Sequence, residues 1–370
     1  MLKATPVDNT SSRLSFHLSA QVAGAGPTTP SWFRKFEDVT ASSRWFQPYL
    51  RYTDHRSWIV RDQHQTLGRI TAINPIDGPA RFGFFNCINK HEVAQALTEA
   101  AETWLRSRGV QHLIGPFNPS IHEASGLLER AESPIQFGFP DTQPYLINLL
   151  EGCGYIKSKR LLTYRQTDRS MALRLEDRMD PILKGLADQA IKLELAQWGS
   201  FHCHCSWLRD LINQGWGQNW GFEPISLGEA KQLLLRILTF LPPGSLCFTT
   251  RDGLPIGIAL GMPDARSVAA QLPEWLGLLN LPLLLHRLRR GHSPHFRVAL
   301  LGIIPELQGT PISLGSTLAM LKNLIKLAMS WGATSADMGW ILDDNTAMLR
   351  FLSLYGGNCV MSHVIMGKQL

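Results

Sequence analysis

One order of elements (strand, helix, strand, helix, strand) can be read twice along this chain, and a repeated supersecondary order implies two units of one kind. In the first half, residues 68–74 alternate and are rich in β-branched side chains, which predicts a strand, and residues 81–85 predict a second short one. Residues 91–108 predict a helix because Val93, Ala96, Leu97, Ala100, Ala101, Trp104 and Leu105 share one face. Gly109 ends it, residues 110–114 read as a strand, 143–151 as a helix closed by Gly152, and 159–165 as a strand. In the second half, residues 245–250 and 256–261 make a hairpin around Asp252-Gly253. A strand at 296–304, a helix at 314–331 closed by Gly332, a strand at 335–342, a short helix at 346–354 and a strand at 360–366 complete the second copy. The expected fold class is α/β (α+β), two tandem domains, each a mixed, mostly antiparallel sheet flanked by helices. The expected boundaries are a leader at 1–30, one domain at 31–168 and a second at 169–370. The leader is rich in Ser, Thr, Gly, Ala and Pro, and a strand gives way near Asp168 to the charged stretch between Arg174 and Arg178.

Composition agrees with two full cores: 370 residues suit two domains, and 44% hydrophobic against 18% charged residues argues against global disorder. The longest apolar stretch, residues 276–285, is too short to span a bilayer and contains Asn280 and Pro282, so no transmembrane segment is expected. The first thirty residues lack a basic start followed by an apolar block. Six scattered cysteines show no disulfide spacing, which suits a reducing, cytoplasmic setting. The net charge of +6 would suit an acidic carrier protein or a phosphorylated co-substrate, while no arginine-rich tract or zinc-finger spacing points to DNA. His202-Cys203-His204-Cys205, read as a strand, puts its pairs on opposite faces, so no metal site is expected.

The most informative segment runs from Leu301 to Leu314. A buried strand enters a turn at Pro305-Glu306, passes Gln308-Gly309, and opens a helix with Thr310 as N-cap and Pro311 in its first turn. The first turn of such a helix presents free N–H groups and the positive end of the dipole, a place for phosphate. The segment reads equally as an ordinary strand-to-helix connection.

This succession resembles motif A of the GNAT acetyltransferases, in which the strand pairs with a pantetheine arm and the loop wraps a pyrophosphate. Asp343-Asp344-Asn345-Thr346-Ala347, with Gly356-Gly357 beyond the helix, is similar to the GNAT strand-end asparagine, short helix and glycine. More narrowly the chain resembles a family of tandem GNAT-like proteins that includes bacterial ceramide synthases. Gly115-Pro116-Phe117-Asn118-Pro119-Ser120, Pro144-Tyr145, Asn219-Trp220-Gly221-Phe222 and Trp340-Ile341-Leu342 carry that resemblance over roughly residues 45–370. It implies donor contacts at Gly302, Ile303, Gln308, Gly309, Thr310, Ser313 and Asn345. The chain departs from the pattern where Pro311 and Ser313 take the two small positions of the loop. A proline removes an N–H donor, which favours a carrier-borne phosphopantetheine, with its single phosphate, over coenzyme A. The tyrosine that often follows the GNAT asparagine as general acid is also missing; Phe351 and Leu352 stand there, with Tyr355 nearby.

The first half has no such loop between Phe85 and His91, so its role is expected to be the acceptor site or the interface. Asn118, Ser120, His122, Trp220 and Trp340 are the candidate acceptor contacts, and Asp337, His295 and His363 the candidate bases. The expected function is transfer of an acyl group from a pantetheine thioester, on coenzyme A or acyl carrier protein, to an amine such as a long-chain lipid base. No tightly bound cofactor is expected. Two alternatives remain open at this point: aminoacyl transfer from charged tRNA, and a non-catalytic binding protein of degenerate GNAT fold.

Overall fold

The computed structural model describes residues 3–7, 29–42, 49–62, 65–76, 78–354 and 356–370; Tyr355 lies outside the described residues. The strands are β1 Ala4–Val7, β2 Asp54–Asp62, β3 Gln65–Asn74, β4 Ala80–Cys87, β5 His112–Gly115, β6 Phe117–Asn118, β7 Ala124–Ser125, β8 Leu127–Ala131 and β9 Ile156–Gln166 in the first half. The second half has β10 Ile191–Leu195, β11 Leu246–Arg251, β12 Leu254–Pro263, β13 His295–Ile303, β14 Ser335–Leu342 and β15 Asn358–Gln369. The helices are α1 Ser31–Ser42, α2 Tyr49–Tyr52, α3 His91–Arg106, α4 Tyr145–Gly152, α5 Arg169–Gly185, α6 Phe201–Trp216, α7 Leu227–Phe240, α8 Ala265–Ala269, α9 Leu281–Arg289, α10 Pro311–Ser330 and α11 Thr346–Leu354.

The long sheet runs β1-β2-β3-β4-β5-β15-β9-β14-β13-β12-β11-β10, with β8 also paired to β15. Its neighbours are antiparallel except β4 with β5 and β13 with β14, which are parallel. Each half therefore supplies four antiparallel strands and one parallel step, but the last strand of each is exchanged. β9, which closes the first half in sequence, pairs with β14 of the second, and β15, the end of the chain, pairs with β5 of the first. Alternation explains why this works: β15 presents Val364 and Met366 to the core under α3 and α4, and Ile365 to the opposite face.

Two parallel steps in one sheet leave two places where strands diverge. β13 pairs with β14 only from His295/Ser335 to Val298/Met338, and beyond Val298 it keeps only β12 among the described strands. β14 meanwhile shifts register against β9 between Met338 and Ile341. In the first half β4 pairs with β5 only at Ala80/Leu113 and Arg81/Ile114. The cores follow from this frame. α3 and α4 cover β2 to β5, α6 and α7 cover one face of β11 to β13, and α10 the other. The hairpin forms where Asp252 and Gly253 both take positive φ, 52° and 79°, the backbone a two-residue turn requires. His202 to Cys205 lie on α6, not on a strand, with His204 and Cys205 buried. Among the described residues no group of three or more His, Cys, Asp or Glu is placed to hold a metal ion, and no helix is long and apolar enough to cross a membrane.

Candidate active site at the open strand divergence

The two divergences differ in what fills them. In the first half the chain itself enters: β6 lies against β4 so closely that a Cβ on Gly83 would sit 1.7 Å from the Phe117 carbonyl oxygen. The Asn118 Oδ1 accepts a hydrogen bond of 2.6 Å from Phe84 N–H. Phe84 adopts φ 50° there, and its N–H is thereby satisfied by a side chain of the same half. In the second half no described strand takes the corresponding place beside Ala299 to Ile303. Gly302 lies beneath the Trp216 indole, where a Cβ would meet the ring at 2.4 Å.

Beside this open divergence is a cavity of about 1490 Å³, whose wall includes Arg297, Ala299 and Leu300 of β13 and Gly339 and Trp340 of β14. Pockets for small ligands typically measure roughly 300–1,000 Å³, so this one has room for a long chain or for two molecules. Both halves line it. Asn118, Ser120, Ile121 and His122 come from the first; Trp216, Trp220, Phe222, Ile225 and Met262 come from the second. Trp220 and Trp340 pack on a shared cluster containing Phe117, Ile121 and Leu342. The five predicted acceptor contacts, Asn118, Ser120, His122, Trp220 and Trp340, all line this cavity.

His122 is the titratable group of that set. Its Nε2 lies 2.7 Å from the Glu223 carbonyl oxygen, and its ring stands edge-on to Phe222. A carbonyl only accepts, so Nε2 carries the hydrogen and the neutral ring keeps its lone pair on Nδ1. The residue is exposed on the cavity wall, and desolvation by the surrounding protein lowers its pKa. Ser120 is buried, and its Oγ accepts from His122 N–H at 3.3 Å.

The three predicted bases lie elsewhere, each for a visible reason. The Asp337 carboxylate is fully buried and held by Arg165 through Nε at 2.6 Å and Nη2 at 2.7 Å. Burial pushes that carboxyl up against the pull of Arg165, and both its oxygens are engaged. His295 Nδ1 is 2.7 Å from Ser335 Oγ, and burial lowers its pKa. His363 is 1% exposed, stacks on Phe139, and donates from Nε2 to the Pro140 carbonyl at 2.9 Å; burial pushes it down to about 4. None of the three lines the cavity.

Of the predicted donor residues, Gly302 and Ile303 end β13, Gln308, Gly309, Thr310 and Ser313 lie in the turn beyond it and the start of α10, and Asn345 precedes α11. Gln308 reaches back to the Ile303 carbonyl at 3.4 Å, and Gly309 takes φ 78°, the left-handed conformation that favours glycine. Thr310 caps α10 by accepting from Ser313 N–H at 3.2 Å and donates to the Leu307 carbonyl at 2.6 Å. Ser313 N–H is thus already satisfied, as Pro311 has none to offer. Asn345 caps α11, its Oδ1 accepting from Met348 N–H at 3.2 Å.

Two buried arginines went unmarked in the sequence, although each interrupts an apolar strand. Arg81 on β4 is fully buried, with Nη2 2.8 Å from Glu223 Oε1 and 3.1 Å from the Gly221 carbonyl, tying the halves together. Arg297 on β13 lines the cavity one residue before the strands part.

No protein-family model matches the chain. It is 28% identical over 333 residues to Protein YghO of Escherichia coli (strain K12), an alignment that covers 86% of this chain and 84% of that one. It is 25% identical over 351 residues to the bacterial ceramide synthase of Caulobacter vibrioides (strain NA1000 / CB15N), covering 92% of this chain and 90% of that one. Its structure is similar, with a TM-score of 0.55 and 14% identity, to a tandem GNAT protein from the clavulanic acid biosynthesis pathway, over 100% of this chain and 98% of that one.

Proposed function

We propose that this chain, a tandem GNAT-like protein, is an N-acyltransferase that moves an acyl group from a pantetheine thioester to an amine. The observation that carries the reading is the asymmetry of the two divergences: Asn118 fills the first, while the second stands open beside a large, mostly apolar cavity. The unpartnered edge of β13 beyond Val298 offers backbone groups to an extended pantetheine arm. The acyl chain or the acceptor's hydrocarbon then lies against Trp216, Trp220, Trp340 and Met262. The similarity to a bacterial ceramide synthase supports an amine acceptor with a long hydrocarbon chain.

In this reading the amine nitrogen attacks the thioester carbonyl carbon, the C–S bond breaks, and the sulfur leaves with the pantetheine arm as a thiolate. His122, which lines the shared cavity, takes at Nδ1 the proton that the nitrogen loses and returns it to the leaving thiolate. Asp337 keeps β14 and β9 in place through Arg165 instead. With Pro311 lacking an N–H and Ser313 N–H committed to Thr310, the turn offers few donors to a pyrophosphate, which favours a carrier-protein donor over coenzyme A.

The test is a mass-resolved assay of acyl carrier protein and of acyl-coenzyme A, each incubated with the protein and a panel of long-chain amines. Loss of the acyl group that needs both protein and amine, faster from the carrier protein, is the expected result. Donors left intact in the presence of every amine would refute transfer.

A further inference from the structure

A buried charge without a counter-charge is expensive, and its presence calls for a reason. Arg297 is 9% exposed. Its guanidinium donates only to carbonyls, from Nη1 to Phe137 at 3.0 Å and from Nη2 to Gly339 at 3.4 Å, and Nε has no partner. No carboxylate among the described residues lies within ion-pairing distance. Asp337, opposite it in the strand register, is taken by Arg165, and Asp264 caps α8 and accepts from Phe137 N–H at 2.7 Å. Burial lowers the guanidinium's pKa to about 10, so it stays protonated at neutral pH.

The surroundings are built to hold this cation. The Phe139 ring lies 3.7 Å from its Cζ, and Gly138, at φ 86°, leaves the space; a Cβ there would sit 2.5 Å from Nη1. The first half supplies an internal comparison. Arg81, also buried at the point where its strands part, has the carboxylate of Glu223 at 2.8 Å. The second half carries the same kind of cation at the same kind of place, on the wall of the cavity and, among the described residues, with no carboxylate at ion-pairing distance.

We infer that Arg297 anchors the head of a long-chain carboxylate bound in this cavity, with the hydrocarbon tail along the apolar wall of Met262, Leu260, Ala299 and Trp340. A free fatty acid is the simplest ligand of this class. It would occupy the space that a transferred acyl chain needs, and so compete with substrate. The inference goes beyond the proposed transfer and does not need it, because binding is measured with no acyl donor present.

The experiment compares laurate with 1-dodecanol, which has the same chain and no charge, by calorimetry on the full-length protein. The wild type is expected to bind laurate at least tenfold more tightly than the alcohol. Arg297→Gln is expected to lose that preference while its affinity for the alcohol is unchanged, and Arg297→Lys to retain most of it. Equal wild-type affinity for acid and alcohol, a comparison that needs no variant to fold, overturns the inference. So does an Arg297→Gln protein that binds laurate as the wild type does.

Discussion

Asn118 Oδ1 accepts the Phe84 N–H at 2.6 Å inside the first strand divergence, and so the chain occupies with its own side chain the place that stays open in the second half. Asn118→Ala leaves that backbone N–H unpaired. We expect a loss of about 1–3 kcal/mol in denaturant unfolding, the usual cost of a buried unsatisfied donor, with the rate of acyl transfer retained. A rate that collapses while stability holds would place Asn118 in the chemistry.

The exchange of β9 and β15 makes the two halves interdependent. With Asp168 taken as the dividing point, residues 1–168 lack Val364 and Met366, which pack in the first core, and Lys368, whose Nζ donates to Glu102 Oε1 at 2.8 Å. Neither fragment is expected to fold alone, while the two expressed together should associate. Dispersed amide signals from the isolated 1–168 fragment would contradict the exchange.

The repeat and most element bounds were legible because alternation and helical period are local properties. Residues 91–108 were expected as a helix and α3 is His91–Arg106; residues 335–342 were expected as a strand and β14 is Ser335–Leu342. The exchange was not legible, because neither the alternation of β9 nor the continuous buried run of β15 fixes which strand lies beside it. His202 to Cys205 misled because four residues are too few to show the helical period that Leu208, Leu211 and Ile212 continue. At the site, Asn118, Ser120, His122, Trp220 and Trp340 stand in the sequence as candidate acceptor contacts, and all five line one cavity. Asp337 stands in the sequence as a candidate base, yet the group that satisfies it, Arg165, lies 172 positions away and leaves no local mark. Arg297 interrupts the apolar run of β13.

Breaking that buried pair should injure the fold and not the chemistry. Asp337→Asn leaves Arg165 facing a neutral amide in the interior, and a loss of about 3–5 kcal/mol is expected. The protein that remains folded at low temperature should turn over with an unchanged pH profile. A shifted profile would return Asp337 to the list of bases.

His122→Gln removes the Nδ1 lone pair beside the cavity. Removing a general base typically costs about 10²–10⁴ in rate, and kcat is expected to fall within that range while Tm moves little. Tm falling with kcat intact would mean that the ring only fills space.

His363 predicts an acid-sensitive fold. Its folded-state pKa of about 4 lies below the ordinary histidine value of about 6.5, so between these limits the unfolded chain binds the extra proton. Its contribution is complete above that ordinary value and is lost as pH falls toward 4, on the order of 3 kcal/mol in all. His363→Gln, which keeps a donor for the Pro140 carbonyl, should flatten the fall in stability between pH 6.5 and 4; an unchanged slope would assign the sensitivity to other groups.

The central claim is that the donor binds at the second divergence and not at the first. Hydrogen exchange, read by mass spectrometry with and without a non-hydrolysable acyl-pantetheine thioether, tests it most directly. Slowed exchange in β13 from Ala299 to Ile303, with β4 from Phe84 to Cys87 unchanged, is the predicted result. Protection appearing in β4, or no change in β13 at saturating ligand, would contradict the account.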